Sequence, residues 1–172
     1  MTIPIEILAI IFSHIKPSRL NEIYKGLKYF RDEMNKPQFY KTYLSYKKDK
    51  EKLFKLGIEK GYRYLISILL NDIDPSANDN YAIRMASEKG YTKIVRLLLQ
   101  DQRINPSALN NSAIYCAIIK CLRKILKLLL QDSRVDPSMN DNKAIRIASE
   151  NGHIEIVKLL LEDKRIDPSA DD

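Results

Sequence analysis

The tripeptide Asp-Pro-Ser returns on a fixed 31-residue beat. It reads Asp74-Pro75-Ser76, Asn105-Pro106-Ser107, Asp136-Pro137-Ser138 and Asp167-Pro168-Ser169. The residues between the prolines repeat as well. Ala82-Ile83, Ala113-Ile114 and Ala144-Ile145 are in register, and so are the leucine triplets 97–99, 128–130 and 159–161. A period of this length is the signature of a stacked array whose units bury their apolar faces on one another. Such arrays are usually binding scaffolds, which shifts the expectation from catalysis to recognition.

One period holds two short helices and a turn. Asn78-Asp79-Asn80 offers capping side chains, and Tyr81 to Lys89 reads as a helix with Ile83 and Ala86 on one side. Gly90 ends it, because glycine takes the left-handed conformation that a helix C-terminus often needs. Thr92 to Gln100 is a second helix. Its Ile94, Val95, Leu97, Leu98 and Leu99 are too apolar for one narrow buried stripe, so it is sandwiched between neighbours. Pro106 closes the unit, since proline cannot extend a helix. The expected fold class is all-α, with helix pairs near 51–71, 80–101, 111–132 and 142–163.

Residues 81–98 and 143–160 resemble the ankyrin repeat. Ala86-Ser87 and Ala148-Ser149 fall on its double alanine, Gly90-Tyr91 and Gly152-His153 on its Gly-His, and Ile94-Val95 and Ile156-Val157 on its Ile-Val. The next unit keeps Ala117, Ile125 and Leu128-Leu129 but has Cys121-Leu122 where Gly-His belongs. A degenerate first unit spans about 51–73, with Gly61-Tyr62 and Leu69-Leu70 in place. The remaining units fall at about 74–104, 105–135 and 136–166, and a further one begins at 167–172. Tyr81-Ala82-Ile83-Arg84 replaces the Thr-Pro-Leu-His opening, so its usual Thr–His hydrogen bonding is missing. The unit is also shorter than the common 33 residues, which tightens the loop between repeats.

The resemblance implies a solenoid of about four helix pairs over residues 46–172. It also implies a protein target held on the loop tips and the open side of the first helices. The positions that match that surface are Asn80, Tyr81 and Arg84, then Leu109, Ser112 and Tyr115, then Met139, Lys143 and Arg146. Aromatic, arginine and exposed aliphatic side chains suit a protein partner.

The first 45 residues follow no such beat. Ile7, Leu8, Ile11, Phe12 and Ile15 form an apolar face at helical spacing. Leu20, Ile23, Tyr24 and Leu27 form a second, and Phe30 and Met34 a third. The order Ile3-Pro4-Ile5-Glu6-Ile7-Leu8-Ala9-Ile10-Ile11-Phe12-Ser13 resembles the opening of an F-box. Gly26 to Arg31 and Phe39-Tyr40 align with its later parts, without the motif's cysteine and tryptophan. That resemblance implies a three-helix module at 1–45 that docks on the Skp adaptor of a cullin–RING ubiquitin ligase. The adaptor-binding residues it implies are Pro4, Ile7, Leu8, Ile11, Phe12, Leu27 and Phe30. The whole chain then resembles a substrate receptor of the kind found in large DNA viruses, and its expected location is cytoplasmic, the host cytoplasm if viral, or nuclear. The alternative is a helical cap, which repeat arrays need to cover their first apolar face.

The formal net charge is +7. Residues 1–60 carry thirteen Lys or Arg against seven Asp or Glu, and residues 61–172 carry sixteen against fifteen. The surplus gathers at Lys41, Lys47, Lys48, Lys50, Lys52 and Lys55, between Tyr40, Tyr43 and Tyr46. Basic residues with aromatics suit weak phosphate contacts and stacking. A solvated stretch with Asp49 and Glu51 interspersed gives the same composition, and no nucleic-acid motif accompanies it. Nucleic acid is therefore not the expected partner.

No catalytic, metal or cofactor constellation stands out. His14 and His153 are the only histidines, and His153 occupies an architectural position. Cys116 and Cys121 are poorly placed to pair and suit a reducing compartment, cytoplasmic or nuclear. No run of 18 apolar residues suggests a membrane span. Asp167-Pro168-Ser169 opens a repeat whose remainder is not in the chain. The expectation is either a fragment of a longer array or a last helix whose apolar face serves self-association.

Overall fold

The computed structural model describes residues 50–166, and every regular element among them is an α-helix. There are eight: α1 (Lys50–Lys60), α2 (Arg63–Leu69), α3 (Ala77–Glu88), α4 (Thr92–Leu99), α5 (Ala108–Ile119), α6 (Arg123–Leu130), α7 (Met139–Glu150) and α8 (Ile154–Leu161). They fall in two compact units, one ending at Asp74 and the other beginning at Pro75. The module boundary expected at 45/46 lies outside the described residues.

In the first unit α1 and α2 form one antiparallel pair. Leu53, Phe54 and Ile58 of α1 are buried with Leu65, Ile66 and Leu69 of α2. Gly57 sits where the helices approach closely. A β-carbon there would lie 3.2 Å from Ile66 Cγ1. Lys50 Nζ joins Asp72 Oδ2 at 2.8 Å across the open end of the pair.

The second unit stacks three such pairs. The first helices α3, α5 and α7 form one row, and the second helices α4, α6 and α8 form another. The alanines explain the close row of first helices. Ala82, Ala86, Ala113, Ala117, Ala144 and Ala148 are all sealed from solvent. The second helices supply bulk instead. Ile94, Val95 and Leu98, then Ile125, Leu126 and Leu129, fill the space between rows. Each such side chain contributes about 1.5–3 kcal/mol relative to exposure. Ile104, Val135 and Ile166, which follow each second helix, close the base of the core.

Each pair turns through the same backbone device. Tyr91 N–H donates to Ala86 O at 2.9 Å and Gly90 N–H to Ser87 O at 3.1 Å. This is the Schellman arrangement, which puts the residue after the helix in the left-handed region. Gly90 has φ +78° and Gly152 φ +66°. The unit lacking the glycine does not change its turn. Cys121 adopts φ +53°, and Leu122 N–H still reaches Ala117 O at 2.7 Å.

The loop tips inside the first turn of α3, α5 and α7 differ from expectation. Asn78, Asp79 and Asn80 do not cap α3 through their side chains. They form three consecutive left-handed residues with φ of +55°, +55° and +57°. Leu109-Asn110-Asn111 and Asn140-Asp141-Asn142 do the same. Asn80, Asn111 and Asn142 N–H groups each return to the carbonyl four residues back, at Ser76, Ser107 and Ser138. Asn and Asp tolerate this region better than other residues with a β-carbon. That tolerance is why the tips are built from them, and why a unit of 31 residues can close its loop.

The Asp-Pro-Ser beat is an Asx turn in front of this loop. Asn105 Oδ1 accepts from Ser107 N–H at 3.0 Å, and Asp136 Oδ1 from Ser138 N–H at 2.9 Å. Pro75, Pro106 and Pro137 are buried beneath it.

Candidate functional site

The loop tips and the adjoining turns of α3, α5 and α7 are the surface on which the predicted target residues fall. Arg84 stands one helical turn past the left-handed residues 78–80 of α3. Its Nε donates to Asp79 O at 2.9 Å and a terminal nitrogen to Asn78 O at 3.1 Å. Arg146 does the same in α7, to Asp141 O at 2.8 Å and Asn140 O at 3.3 Å. The left-handed turn points its carbonyls away from the helix, and these guanidinium groups satisfy them. Arg84 and Arg146 therefore hold the loops while one edge of each stays at the surface.

Tyr115 takes the same position in α5 and does something different. Its hydroxyl donates to Met139 O at 3.4 Å and accepts from Asn140 Nδ2 at 3.2 Å. Lys143 Nζ lies 5.4 Å from the ring centroid, within cation–π range. The structure thus brings Tyr115, Met139 and Lys143 from two repeats into one cluster. Leu109, at the tip of the α5 loop, is 54 % exposed. Tyr81 and Ser112 are half-buried.

Asn80 is turned the other way. It is buried, and its Oδ1 accepts the N–H of Asn105 at 2.6 Å. Asn111 makes the next such link, from Nδ2 to Asp136 O at 2.5 Å. Of the nine predicted positions, Asn80 is thus the one inside the array. The adaptor-binding candidates Pro4, Ile7, Leu8, Ile11, Phe12, Leu27 and Phe30 lie outside the described residues. So do Lys41, Lys47 and Lys48 of the basic stretch, whereas Lys50 is tied to Asp72. His153 keeps an architectural place, with Nε2 3.1 Å from Ile119 O.

A second periodic motif was legible in the sequence and missed there. Asp101-Gln102-Arg103, Asp132-Ser133-Arg134 and Asp163-Lys164-Arg165 repeat at the same 31-residue spacing. In each, the carboxylate forks the guanidinium of the arginine two residues on, with Nε–Oδ1 distances of 2.8–2.9 Å. Arg134 then extends to the preceding repeat, donating to Leu99 O at 2.7 Å and Ile104 O at 2.8 Å. Arg165 extends likewise to Leu130 O at 2.8 Å and Val135 O at 2.5 Å. The arginine hydrogen bonds hold the carboxyls of Asp101, Asp132 and Asp163 below the ordinary aspartate range, against the opposing effect of burial. The pairing raises Arg134 and Arg165.

Among the described residues no group of His, Cys, Asp and Glu has the arrangement of a metal site. No described helix is long and apolar enough to cross a membrane. Cys116 and Cys121 are free thiols.

The model of the family described as ankyrin repeats (3 copies) matches residues 54–141 and 86–172. The chain belongs to the ankyrin-repeat family. No curated protein and no solved structure matches it. Ankyrin repeats are protein–protein interaction modules and generally non-enzymatic, which agrees with the helix pairs and leaves the partner unspecified. Within this ankyrin array the loop tips carry left-handed Asn/Asp turns, and the helix that follows supplies Arg84 or Arg146 to hold them.

Proposed function

We propose that this ankyrin array holds a protein target on the surface centred on Tyr115, Lys143 and Leu109. The observation that carries the reading is the break in periodicity at Tyr115. The neighbouring repeats use arginine there to satisfy their own loops. The α5 repeat places an aromatic ring across the repeat boundary under a lysine, and carries an exposed leucine at its own loop tip. Rigid aromatic surface next to a cation and an aliphatic anchor is the composition of an interface centre.

Residues 1–45 are the second half of the reading. Their order of residues resembles an F-box, so the chain would link the target to a cullin–RING ubiquitin ligase through a Skp adaptor. The combination resembles substrate receptors of large DNA viruses acting in the host cytoplasm. The exposed side chains Ile154 and Leu161 on α8 offer a further surface for self-association.

The test uses the full chain and purified Skp adaptor. Leu8→Asp with Phe12→Asp should abolish adaptor binding and leave the melting of the repeats unchanged. Leu109→Asp with Lys143→Glu should leave adaptor binding intact and remove the target from a proximity-labelling profile. Absence of adaptor binding by the unmodified chain, with the first pair of substitutions lowering the melting temperature, identifies residues 1–45 as a cap instead.

A further inference from the structure

The second helices present a different surface, and on α4 and α6 four of its charges are not matched. Helices α4 and α6 carry Lys93, Arg96, Arg123, Lys124 and Lys127 and no carboxylate. Lys93 and Lys124 occupy equivalent positions one period apart, and so do Arg96 and Lys127. All four are exposed. The two helices pack side by side, with axes about 8–10 Å apart in such packing. Within a helix, residues three apart are surface neighbours. The four cations therefore form a two-by-two grid.

Several other cations of the array have partners. Arg103, Arg134 and Arg165 fork their own aspartates, and Lys120 pairs with Glu88 at 3.3 Å. Among the described residues Lys93, Arg96, Lys124 and Lys127 have none. The grid is bounded at α8, where Glu155 replaces the lysine and approaches Arg123 at 3.8 Å and Lys158 at 3.2 Å. Like charges held on adjacent helices repel unless an anion lies over them.

Beside the grid is a depression of about 240 Å³. Leu122 and Ile125 line it, and Thr92, Arg123 and Lys124 complete it. A membrane surface is flat and a nucleic-acid backbone carries no aliphatic side chain, so neither fills an apolar dent of this size. An acidic peptide with one aliphatic residue supplies both features.

We propose that α4 and α6 form a second docking surface, for an acidic protein segment. Its carboxylates lie over Lys93, Arg96, Lys124 and Lys127, and one aliphatic side chain enters the depression at Leu122 and Ile125. This surface belongs to the second helix of each repeat, whereas Tyr115 and Lys143 belong to the first.

The test is fluorescence anisotropy of the full chain with a fluorescein-labelled twelve-residue peptide of Glu and Asp around a single Leu. A labelled oligouridine and vesicles of phosphatidylserine in phosphatidylcholine are run at the same ionic strength. The peptide should bind, and binding should weaken as salt rises. Lys124→Glu with Lys127→Glu should raise Kd at least tenfold, and Lys124→Gln with Lys127→Gln should raise it less, with thermal melts checking that both variants fold. Replacing the peptide's Leu by Ser should also weaken it several-fold. No binding by the unmodified chain, equal binding by the charge-reversed chain, or loss on Lys143→Glu instead would overturn the proposal. Tight binding of the oligouridine or vesicles with no binding of the peptide would overturn it too.

Discussion

Arg134 reaches back 35 residues to donate to the carbonyl oxygen of Leu99 at 2.7 Å. The same guanidinium also holds Asp132 in a fork and caps Ile104 O. One side chain thus ties the end of a second helix to the loop of the following repeat. Helix C-termini leave carbonyls without intrahelical partners, and here the next repeat supplies the missing donor.

Arg134→Ala should cost about 2–3 kcal/mol, because it removes charged hydrogen bonds and strands partly buried carbonyls and a carboxylate. Arg134→Lys should recover only part, since an ammonium cannot reproduce the planar fork. Urea denaturation read by circular dichroism measures both. Equal stability of Arg134→Lys and the unmodified chain would contradict the geometry.

The same pairs make the array acid-sensitive. The carboxyls of Asp101, Asp132 and Asp163 titrate lower in the folded chain than the unfolded value of about 3.9. Their contribution is complete above that value and is lost as pH falls through the folded-state pKa. Melting temperature should therefore drop steeply below about pH 4, and Asp132→Asn should make that drop shallower while lowering stability at neutral pH. Melts across a pH series decide it.

Cys121 holds a backbone that its neighbours leave to Gly90 and Gly152. A β-carbon at φ +53° carries a penalty of about 1 kcal/mol. Cys121→Gly should stabilise the array by about 0.5–1 kcal/mol, after the extra freedom of glycine in the unfolded chain is subtracted. Gly152→Ala should do the opposite by a similar amount, because its β-carbon would meet no atom within 4 Å and the backbone alone sets the cost. A lower melting temperature for Cys121→Gly would refute this account.

Leu109 is the one aliphatic residue among the left-handed loop positions, at φ +50°. The equivalent residues are Asn78 and Asn140. Leu109→Asn should raise stability by about 0.5–1 kcal/mol, since Asn tolerates the conformation. The same change should weaken target capture by removing the exposed side chain. Gain of stability with loss of binding marks Leu109 as a residue kept for recognition.

The repeat, its length and its helix pairs were readable because they rest on local chemistry. Gly90 and Gly152 mark turns that any such chain must make, and Ile94, Val95 and Leu98 mark a helix buried on several sides. Alignment with those glycines left Cys121 either strained in the left-handed region or in a changed turn, and the backbone is left-handed. Asn80 was not readable. Its side chain is polar and sits at a loop tip, which suggests exposure, yet Asn105 N–H turns it inward.

The sequence alone determined where the chain turns and which helix faces are apolar, since both follow from residue conformational preference and from period. Only the tertiary structure decided what Arg134, Arg165 and Tyr115 do. The partners of Arg134 and Arg165 include backbone carbonyls 30 to 35 residues away. A carbonyl has no side-chain identity, so no pattern of letters announces it as an acceptor. Tyr115 meets Asn140 and Lys143 because stacking one repeat on the next sets them side by side. The period predicts that repeats stack; the geometry of the stack decides which of their side chains meet.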